Sequence, residues 1–441
     1  MIRWTLKRVA ALAAGQLSGP PDLVVTGVST DSRHVVAGDL FVAIAGERFD
    51  GHQFSEAALL AGAAAVLVET GRAAIEPRVE VADTERALFD LAVGRRAELD
   101  LGVIAITGST GKTSTKDMTA AAMGPGCWAS PASFNNEIGV PLTVLATPED
   151  ASSLVVEVGS RGVGHIAALT PAVNPDVAVV TNLGLVHLET FGTTDDLAAA
   201  KGELIAALGA DGVAVLPYGE ERLRFSGREI RFGDNPAADV SISEVRLDGV
   251  GCAGFVLNAF GERVEVGLTM AGAHQALNAA AAVAAAVAAG RDLEAAVAGV
   301  ESAVGSPWRM EVHPGKFIVV NDSYNANPTS MEAALRTTAQ LSGRLVAVLG
   351  LMAELGNVSE SEHRRIGGLA RDLGFDPIIV VGEAPGLVEG AGSAALQVSD
   401  IEEARESVMD AMQPGCAVLI KGSRVVGLEV LARQLLEEAA A

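Results

Sequence analysis

The sequence predicts an α/β protein of three domains, and three observations support that prediction. Its 441 residues exceed what one hydrophobic core fills, because single domains hold roughly 100–200 residues. Apolar residues make up 49% and charged residues 20% of the chain, a composition typical of globular proteins and unlike that of disordered ones. Strand-like apolar runs alternate with helical stretches along most of the chain, which is typical of mostly parallel sheets with crossover helices.

Residues 1–100 are predicted to form a small α/β domain. Turns and alanine-rich helical stretches separate short apolar runs at residues 23–25, 40–44 and 64–68. The first residues, "MIRWTLKRVAALAAGQLSG", have the charged start of a weak signal peptide, but their apolar stretch is short and two basic residues interrupt it. An ordinary first helix is therefore favoured, and a later helix over residues 87–99 leads into the second domain.

Residues 101–307 are predicted to form a larger domain on a mostly parallel sheet. Helical segments separate strand-like runs at residues 103–106, 154–158, 177–180 and 213–216. Residues 228–268 alternate more strongly and contain more turns, which indicates a β-rich insertion. A helix over residues 274–289 closes the domain, and its apolar run is too short to span a bilayer.

Residues 308–441 are predicted to form an independent, doubly wound α/β domain. The alternation of strands and helices restarts there, after "GSPWRMEVHPGKFIVVNDSYNANP". Strands are expected at residues 317–320, 345–349, 378–381 and 417–420.

Charge and cysteine content exclude several classes of function. A net charge of −23 without any basic stripe argues against nucleic acid as a partner, because phosphate-backbone binding depends on clustered Lys and Arg. The three cysteines, Cys127, Cys252 and Cys416, lie too far apart for a disulfide framework or a CxxC zinc site. We therefore expect a cytoplasmic protein with reduced thiols and no membrane insertion.

The stretch "GVIAITGSTGKTSTKDM", residues 102–118, has the parts of a phosphate-binding loop. A strand that turns into a helix there gathers backbone N–H groups and the positive helix end around one point, which favours an anion. Lys112 would reach the β and γ phosphates of a bound nucleotide, and the Thr113 hydroxyl would bind Mg²⁺. The spacing is shorter than in the usual P-loop, which has four residues before its Gly-Lys pair. The alternative to a phosphate-binding loop is an ordinary Gly-Ser turn between strand and helix, followed by a surface lysine. The residues expected around the phosphates are Gly108, Ser109, Thr110, Gly111, Lys112, Thr113 and Ser114.

Two more side chains are expected at the same edge of the sheet. Glu157 follows an apolar run in "SLVVEVGSRG", and His187 lies beyond another strand in "DVAVVTNLGLVHLETFG". Open α/β sheets bind ligands at the carboxyl ends of their strands, so both side chains would complete a metal site begun by Thr113. A lone histidine is more often an ordinary hydrogen-bonding residue, but the convergence of three groups favours a site.

The remaining polar residues can be interpreted either as parts of a site or as ordinary structural residues. Lys201 lies on a helix expected to be capped by Thr194 or Asp195, and its charge pattern is that of a solvated helix lysine. Three asparagines would either contact a purine edge or a ribose or be ordinary cap and turn residues: Asn278, Asn325 and Asn327.

Taken in order, several segments resemble the Mur ligase family over nearly the whole chain. They are "GSTGKTSTKD", "NNEIGVPLTVL", "VEVGSRGVGHI", "NPDVAVVTNLGLVHLETFG", "AAAKGELI", "AGAHQALNAAAAVAAA", "NDSYNANPTSMEAAL", "LMAELGNVSESEH" and "IKGSR". The short phosphate loop is the form that this family uses. The segment "STDSRHVVAGDLFVAIAGERFDGHQF" also resembles the family's uridine-nucleotide-binding domain.

The resemblance implies an ATP-dependent and Mg²⁺-dependent ligase of peptidoglycan precursor synthesis, and we expect it to be a monomer. It would join D-alanyl-D-alanine to UDP-N-acetylmuramoyl-tripeptide through an acyl phosphate. Residues 1–100 would bind the UDP-substrate, residues 101–307 would be the P-loop-type ATPase, and residues 308–441 would be a Rossmann-like domain that binds the incoming dipeptide. The alternative within the family adds the third residue to a UDP-N-acetylmuramoyl-dipeptide. That branch usually has "DNPR" in its C-terminal domain, whereas this chain has only "DNPA" at residues 234–237, interpreted as a turn.

The resemblance also assigns roles to residues. Thr113 and Glu157 would hold one Mg²⁺ and His187 a second metal. Lys201 would carry a carbamate that supports the metal and the γ-phosphate, and Lys112, Lys201 and His187 would be catalytic. Positions facing the nucleotide would be Asn278, Arg309, Asp322 and Asn325. Positions facing the acceptor substrate would be Asn135 and Asn136, and those near the UDP-sugar would be Thr30, Asp31, Ser32 and Arg33.

The chain departs from the family pattern at two positions, and two other classes of protein are alternatives to this family. Trp308 stands where the family often has Gly, which affects the expected hinge, and Leu351 replaces an acid whose role cannot be transferred. A nucleotide-binding regulator or transport ATPase would use the loop without ligation. A folylpolyglutamate-type synthetase shares the loop but should lack the UDP-binding module.

Overall fold

The computed structural model describes residues 2–46, 49–72, 74–184 and 193–440. In this part of the chain, three large β-sheets are flanked by helices, and a separate two-stranded sheet lies in the N-terminal region. Most neighbouring strands in the three sheets are parallel, which confirms the predicted mixed α/β class. None of the helices formed by the described residues has the length and apolar character needed to cross a membrane.

The first sheet lies in the N-terminal region, with strand order β2-β7-β6-β5-β4. Only β2 runs antiparallel to its neighbour, and β1 pairs with β3 alone. The strands are β1 Trp4–Thr5, β2 Gln16–Ser18, β3 Val24–Val25, β4 Gly27–Ser29, β5 Asp39–Val42, β6 Ala65–Glu69 and β7 Arg78–Val81. The helices are Leu6–Leu12, Ser55–Leu60 and Thr84–Glu98. The first helix buries Leu6 and Val9 and is capped by the Thr5 hydroxyl, so the first helix expected from the sequence is present.

The central sheet has nine strands in the order β16-β15-β14-β13-β12-β11-β8-β10-β9. Six strand pairs are parallel, and the last two, β14–β15 and β15–β16, are antiparallel. The β-rich insertion expected at residues 228–268 therefore extends the central sheet instead of forming a separate one. The strands are β8 Gly102–Thr107, β9 Cys127–Ala129, β10 Ser153–Glu157, β11 Val177–Val180, β12 Val213–Pro217, β13 Arg228–Gly233, β14 Val240–Leu247, β15 Cys252–Ala259 and β16 Glu262–Ala271.

Helices cover both faces of the central sheet. Those described are Lys112–Met123, Gly139–Leu145, His165–Val173, Thr194–Ala206, Gln275–Ala288 and Leu293–Glu301. Helix Gln275–Ala288 is buried on almost every side and is built mainly of alanine, which allows close approach to its neighbours. The N-cap of helix Thr194–Ala206 is Thr193, whose hydroxyl accepts from the Asp196 N–H at 3.1 Å. The expected cap at Thr194 or Asp195 was therefore wrong, because both residues lie inside the first turn.

The C-terminal sheet has the strand order β17-β18-β22-β19-β20-β21, and only β17 is antiparallel. Its strands are β17 Glu311–His313, β18 Ile318–Asn321, β19 Leu345–Gly350, β20 Phe375–Val381, β21 Ala395–Val398 and β22 Ala417–Lys421. Its helices are Pro328–Thr338, Ser359–Asp372, Pro385–Ala391, Ile401–Ala411 and Glu429–Ala440. The first three helices pack on one face and the last two on the other, which is the doubly wound arrangement expected from the sequence.

The hydrophobic core is continuous between the N-terminal and central regions. Helix Thr84–Glu98 follows the first sheet in sequence, yet its buried residues share one cluster with β8 and β10 of the central sheet. Helices Gly139–Leu145 and His165–Val173 pack against it from the central side. The N-terminal sheet therefore reaches the central sheet through a shared layer of helices.

Candidate active site

The phosphate loop lies at the carboxyl edge of the central sheet, between β8 and the helix that begins at Lys112. Gly108 and Gly111 have φ angles of 144° and 76°, which glycine adopts without a steric penalty. The Lys112 ammonium donates to the carbonyl oxygens of Gly108 at 2.7 Å and Ser109 at 3.2 Å. The side chain therefore folds back over the loop, where phosphate oxygens would replace these carbonyls. A Cβ on Gly111 would lie 2.4 Å from Asn278 Oδ1, so Asn278 is in contact with the loop.

Strand β11 holds this loop in place through Asn182, a residue that the sequence analysis did not single out. The Ser109 N–H donates to the Asn182 carbonyl at 3.1 Å, and the Thr110 N–H donates to Asn182 Oδ1 at 3.1 Å. The Asn182 amide donates in return to Thr110 Oγ1 at 2.9 Å. Asn182 comes soon after the buried strand β11, and Glu157 ends the buried strand β10, so the rule that identified Glu157 at a strand's carboxyl end would also have identified Asn182.

Thr113 and Glu157 lie together beneath the loop, as the sequence predicted. The Thr113 hydroxyl donates to Glu157 Oε2 at 2.7 Å, and the Asn135 amide donates to Glu157 Oε1 at 2.6 Å. Both Thr113 and Glu157 are buried. A carboxylate and a hydroxyl oxygen are ligand types that Mg²⁺ prefers, so these residues fit the ion. Within the described residues, no three His, Cys, Asp or Glu side chains converge on one point, and His187 lies outside these residues.

Lys201 is buried, which corrects the expectation of a solvated helix lysine. Its side chain is only 2% exposed, and its ammonium donates to Ser160 Oγ at 3.2 Å. The pKa of Lys201 is lowered to about 7, mainly by burial and to a smaller extent by the nearby Lys112, while Glu203 opposes the shift. At neutral pH much of this amine is therefore unprotonated. The burial was not visible in the sequence because the apolar residues around Lys201 do not distinguish a buried from an exposed helix face.

The opposite wall of the site belongs to the C-terminal region. The Lys421 ammonium pairs with Asp322 Oδ2 at 2.6 Å and donates to the Asn325 carbonyl oxygen at 2.9 Å. Burial lowers the pKa of Lys421, and Asp322 acts against that shift. The Asn325 side chain itself is exposed, whereas Asn327 caps helix Pro328–Thr338 in a capping box with Ser330. For Asn327 the cap interpretation is therefore sufficient.

Arg309 and its neighbours connect the central and C-terminal regions. The Arg309 guanidinium lies over the Tyr324 ring at 4.1 Å, and the Tyr324 hydroxyl is in hydrogen-bond contact with Ser133 of the central region. Trp308 has a φ of 65°, a left-handed conformation that glycine adopts freely. Its ring lies under the Arg424 guanidinium at 4.6 Å. The linker therefore keeps a glycine-like backbone although a tryptophan occupies the position.

A second contact ties the linker to the phosphate-loop helix, through Asp117, which the sequence analysis missed. Asp117 Oδ2 accepts from the Ser306 hydroxyl at 2.7 Å and from the Ser306 N–H at 3.0 Å. Its other oxygen pairs with the buried Lys116 at 2.7 Å. Lys116 also donates to the carbonyl oxygens of Ser130 and Ala132, which precede the segment containing Asn135.

These elements enclose a cavity of about 760 Å³ between the central and C-terminal regions. Of the residues expected around the phosphates and metal, the cavity is lined by Ser109, Thr110, Gly111, Lys112, Thr113, Ser114 and Glu157, whereas Gly108 and Lys201 do not line it and His187 lies outside the described residues. Asn135, Asn136, Asn278, Arg309, Asp322 and Asn325 line it as well. Asn136 Oδ1 also accepts from the Gly139 N–H at 2.8 Å, which ties it to the first residue of helix Gly139–Leu145. Most residues predicted for the nucleotide and acceptor sites therefore share one cavity.

The four residues assigned to the UDP-sugar lie elsewhere, on the loop after β4. Asp31 pairs with Arg33 through two hydrogen bonds of 2.9 and 2.6 Å, and the Arg33 side chain is 80% exposed. The hydrogen bonds from Arg33 hold the pKa of Asp31 well below its usual range. Thr30 and Ser32 are half-buried beside this ion pair, and none of the four lines the large cavity.

The short phosphate loop, the mostly parallel sheet and the facing α/β domain define the class of P-loop-type nucleotide-binding enzymes. The chain belongs to the Mur ligase family. Three family profiles match it: "Mur ligase family, catalytic domain" at residues 24–96, "Mur ligase middle domain" at 106–286 and "Mur ligase, glutamate ligase domain" at 308–424.

Relatives match the whole length of the chain. The UDP-N-acetylmuramoyl-tripeptide--D-alanyl-D-alanine ligase of Escherichia coli strain K12 is 34% identical, with 99% of each chain covered. A crystal structure of MurF from Acinetobacter baumannii has a TM-score of 0.90 at 32% identity, with 99% of each chain covered. MurF ligase from Thermotoga maritima, solved in complex with ADP, has a TM-score of 0.82 at 28% identity, over 94% of this chain and 99% of that one.

More distant structures share the fold alone. A UDP-N-acetylmuramoyl-L-alanyl-D-glutamate--2,6-diaminopimelate ligase has a TM-score of 0.54 at 21% identity. A folylpolyglutamate synthase from Mycobacterium tuberculosis has a TM-score of 0.65 at 20% identity and covers 80% of this chain.

Proposed function

We propose that the protein uses ATP to join D-alanyl-D-alanine to UDP-N-acetylmuramoyl-tripeptide, giving the pentapeptide precursor of peptidoglycan. The observation that carries this proposal is the similarity, over 99% of both chains, to a relative that bears this activity in its name. The only match to the other branch's "DNPR" motif, "DNPA", is a turn between β13 and β14, with Asn235 Oδ1 accepting from the Ala237 N–H. This hydrogen bond confirms the interpretation as a turn. Because the segment lies in the central region and not in the C-terminal one, it gives no support to the alternative third-residue ligase.

The reaction begins with the terminal carboxylate of the tripeptide, which is a poor acyl donor. Attack of a carboxylate oxygen on the γ-phosphorus forms an acyl phosphate and releases ADP. The amine of D-alanyl-D-alanine then attacks the acyl carbon, and the tetrahedral intermediate expels phosphate as the amide forms. The enzyme must therefore bring two anions together and stabilise charge as it moves between them.

Lys112 would neutralise the β and γ phosphates, because its ammonium already lies over the loop carbonyls. The backbone N–H groups of Gly111 to Ser114 and the positive end of the helix would bind phosphate oxygens. Thr113 and Glu157 would hold Mg²⁺, which when bound offsets phosphate charge, and His187 would hold a second metal. Asn278, beside the loop, would contact the nucleotide from the central side. Across the cavity, Arg309, Asp322 and Asn325 would contact it from the other side, with Arg309 presenting its charge to the phosphates.

Lys201 would act as a carbamate. Its neutral amine attacks the carbon of CO₂, an N–C bond forms and one proton is released, so the side chain becomes an anion. Such an anion in this position would stabilise a metal beside the γ-phosphate and offset the neighbouring Lys112. The pKa of about 7 supports this role, because only the unprotonated amine reacts.

The substrates would approach from the flanking regions. We assign the UDP moiety to residues 1–100, with Thr30, Asp31, Ser32 and Arg33 near the UDP-sugar, ATP to residues 101–307, and the incoming dipeptide to residues 308–441. Asn135 and Asn136 would face the acceptor peptide, because they line the cavity beside Glu157. We further propose that the protein acts as a monomer in the cytoplasm.

Phosphate release measured with UDP-N-acetylmuramoyl-tripeptide and D-alanyl-D-alanine, separately and together, tests the proposal. We expect sustained release only when both substrates are present with ATP, and a product of pentapeptide mass. Sustained hydrolysis of ATP without either substrate would instead identify a regulator or transport ATPase. Replacing the tripeptide by a dipeptide substrate, with an amino acid as the second substrate, should give no product.

A further inference from the structure

Glu354 lies on the C-terminal wall of the large cavity, and none of the roles proposed above uses it. Its backbone has a φ of 62°, a left-handed conformation that residues with a side chain rarely adopt and that glycine adopts freely. Residues held in such conformations cluster at binding and catalytic sites, where the surrounding structure fixes them. The glutamate side chain is therefore a candidate for a function in the cavity.

Hydrogen bonds hold the segment before Glu354 in place. The Met352 N–H donates to Nε2 of the buried His363 at 2.8 Å, and the Ala353 N–H donates to Ser423 Oγ at 2.8 Å. The Met352 side chain is itself buried in the core of the C-terminal region. A fixed segment therefore carries Glu354 at the cavity wall.

The same contacts place Glu354 on the wall that faces the phosphate loop. Lys421 also lines the cavity and precedes Ser423 by two residues. Burial lowers the pKa of both Lys421 and Lys112, and the charge of Arg309 adds to both shifts. Because one charge acts on lysines of both walls, the wall that carries Glu354 stands opposite the site proposed for the γ-phosphate.

The negative charge of Glu354 suits a cationic ligand. Among the described residues, the carboxylates that line the cavity are Glu137, Glu157, Asp234, Asp322 and Glu354. Only Asp322 and Glu354 belong to the C-terminal region, and Asp322 pairs with Lys421. A carboxylate repels ATP and the reacting carboxylate of the tripeptide, which are anions, and attracts the ammonium group of the incoming dipeptide. A carboxylate on the wall assigned to the dipeptide therefore fits this ammonium group and not the other substrates.

We infer that Glu354 binds the ammonium group of the incoming D-alanyl-D-alanine. This inference rests on the proposed function. The ammonium donates charge-assisted hydrogen bonds to the Glu354 carboxylate, which are shorter and stronger than bonds between neutral groups. Because the segment that carries Glu354 is fixed, these bonds also orient the nitrogen that attacks the acyl phosphate after it has lost a proton.

Steady-state kinetics of Glu354→Gln test the inference, by phosphate release with ATP, Mg²⁺ and UDP-N-acetylmuramoyl-tripeptide. We expect KM for D-alanyl-D-alanine to rise roughly 10- to 100-fold, as the loss of a hydrogen bond between charged groups implies, with KM for ATP and for the tripeptide unchanged. Propionyl-D-alanine, which has a hydrogen in place of the ammonium, should inhibit the natural protein and the variant with the same Ki. Glu354→Gly should raise KM for the dipeptide as well and keep the stability of the natural protein in urea unfolding, because glycine adopts this backbone freely.

Glu244→Gln and Glu244→Gly are the matched controls, because Glu244 is an exposed glutamate of β14 that has a φ of 54° and lies outside the cavity. Both should leave every KM unchanged. An unchanged KM for D-alanyl-D-alanine in Glu354→Gln overturns the inference. An equal rise in the Ki of propionyl-D-alanine also overturns it, because the variant would then have distorted the site as a whole. Absence of dipeptide-dependent phosphate release by the natural protein would instead overturn the proposed function.

Discussion

At the scale of single residues, Lys112 is the charge closest to the expected phosphates. We predict that Lys112→Ala lowers kcat by at least roughly 10²–10³-fold, the loss typical for removal of one preorganised group that stabilises developing charge. Pentapeptide formation gives the rate, and circular dichroism with a thermal melt gives the folded fraction. Lys7→Ala, at an exposed lysine of the first helix, serves as the control. Normal turnover by Lys112→Ala would refute the role of the loop.

The pKa of Lys201 leads to a second prediction, on how carbamate formation depends on pH. Below its pKa of about 7 the amine is protonated and cannot react with CO₂; above it the amine is neutral. At fixed dissolved CO₂, the initial rate of carbamate formation after CO₂ depletion should be roughly tenfold lower at pH 6 than at pH 8. Carbon-13 NMR of protein treated with labelled CO₂ measures it directly. The label should be absent from Lys201→Ala. This variant should be inactive, and added short carboxylates should partly restore its activity. Full activity of Lys201→Ala would refute the carbamate.

The sequence anticipated some of these residues and not others, for a physical reason. Thr113 follows the buried strand β8, and Glu157 is the last residue of the buried strand β10. The carboxyl ends of parallel strands share one edge, so the local pattern was enough to bring the two residues together. The burial of Lys201 and the contact of Tyr324 with Ser133 depend on how separate elements pack. No local pattern encodes those contacts, and for Lys201 only the family resemblance indicated a site.

At the scale of elements, the helix that begins at Lys112 is held by close backbone packing. A Cβ added to Gly299, on helix Leu293–Glu301, would lie 2.5 Å from the Ala121 carbonyl oxygen and 2.5 Å from the Ala122 Cα. Backbone atoms cannot move aside as a side chain can. The glycine therefore sets how closely the two helices approach, and through that the position of the phosphate loop.

We predict that Gly299→Ala lowers the free energy of unfolding by about 1–3 kcal/mol, the usual cost of overpacking. Gly202→Ala is the matched control on another helix, where no described atom lies within 4 Å of the added carbon. That variant should be neutral or about 0.5–1 kcal/mol more stable, since alanine favours helix over glycine. Urea unfolding measures both, and equal stability of the two variants would contradict this account of the packing.

The elements themselves were predicted unevenly. Long apolar runs identified β8, β10, β11 and β12, because strands buried on both faces are continuously apolar. The sequence analysis did not single out β2, β7, β17 and β21, which are short and, except for β7, lie at sheet edges, where one side of the strand is not paired. The joining of residues 228–268 to the central sheet was also missed, because strand pairing over that distance is not visible in a local pattern.

At the scale of the whole molecule, the cleft is spanned by the contact between Ser133 and Tyr324. We predict that Ser133→Ala and Tyr324→Phe each lower kcat/KM for D-alanyl-D-alanine about fivefold, as loss of roughly 1 kcal/mol implies. The double variant should lose no more than either single one, because both remove the same contact. Ser361→Ala, at an exposed serine of the C-terminal region, should have no effect. Additive losses would show that the two hydroxyls act independently.

The hydrogen bonds from Ser306 to Asp117 have a consequence for inhibition. Asp117 lies on the helix that begins with the phosphate-binding lysine, and Ser306 lies in the linker to the C-terminal region. Neither residue lines the cavity. A compound that separated them would alter the angle between the regions without occupying the nucleotide site. Its inhibition would be noncompetitive with ATP, so the high ATP concentration of a living cell would not overcome it.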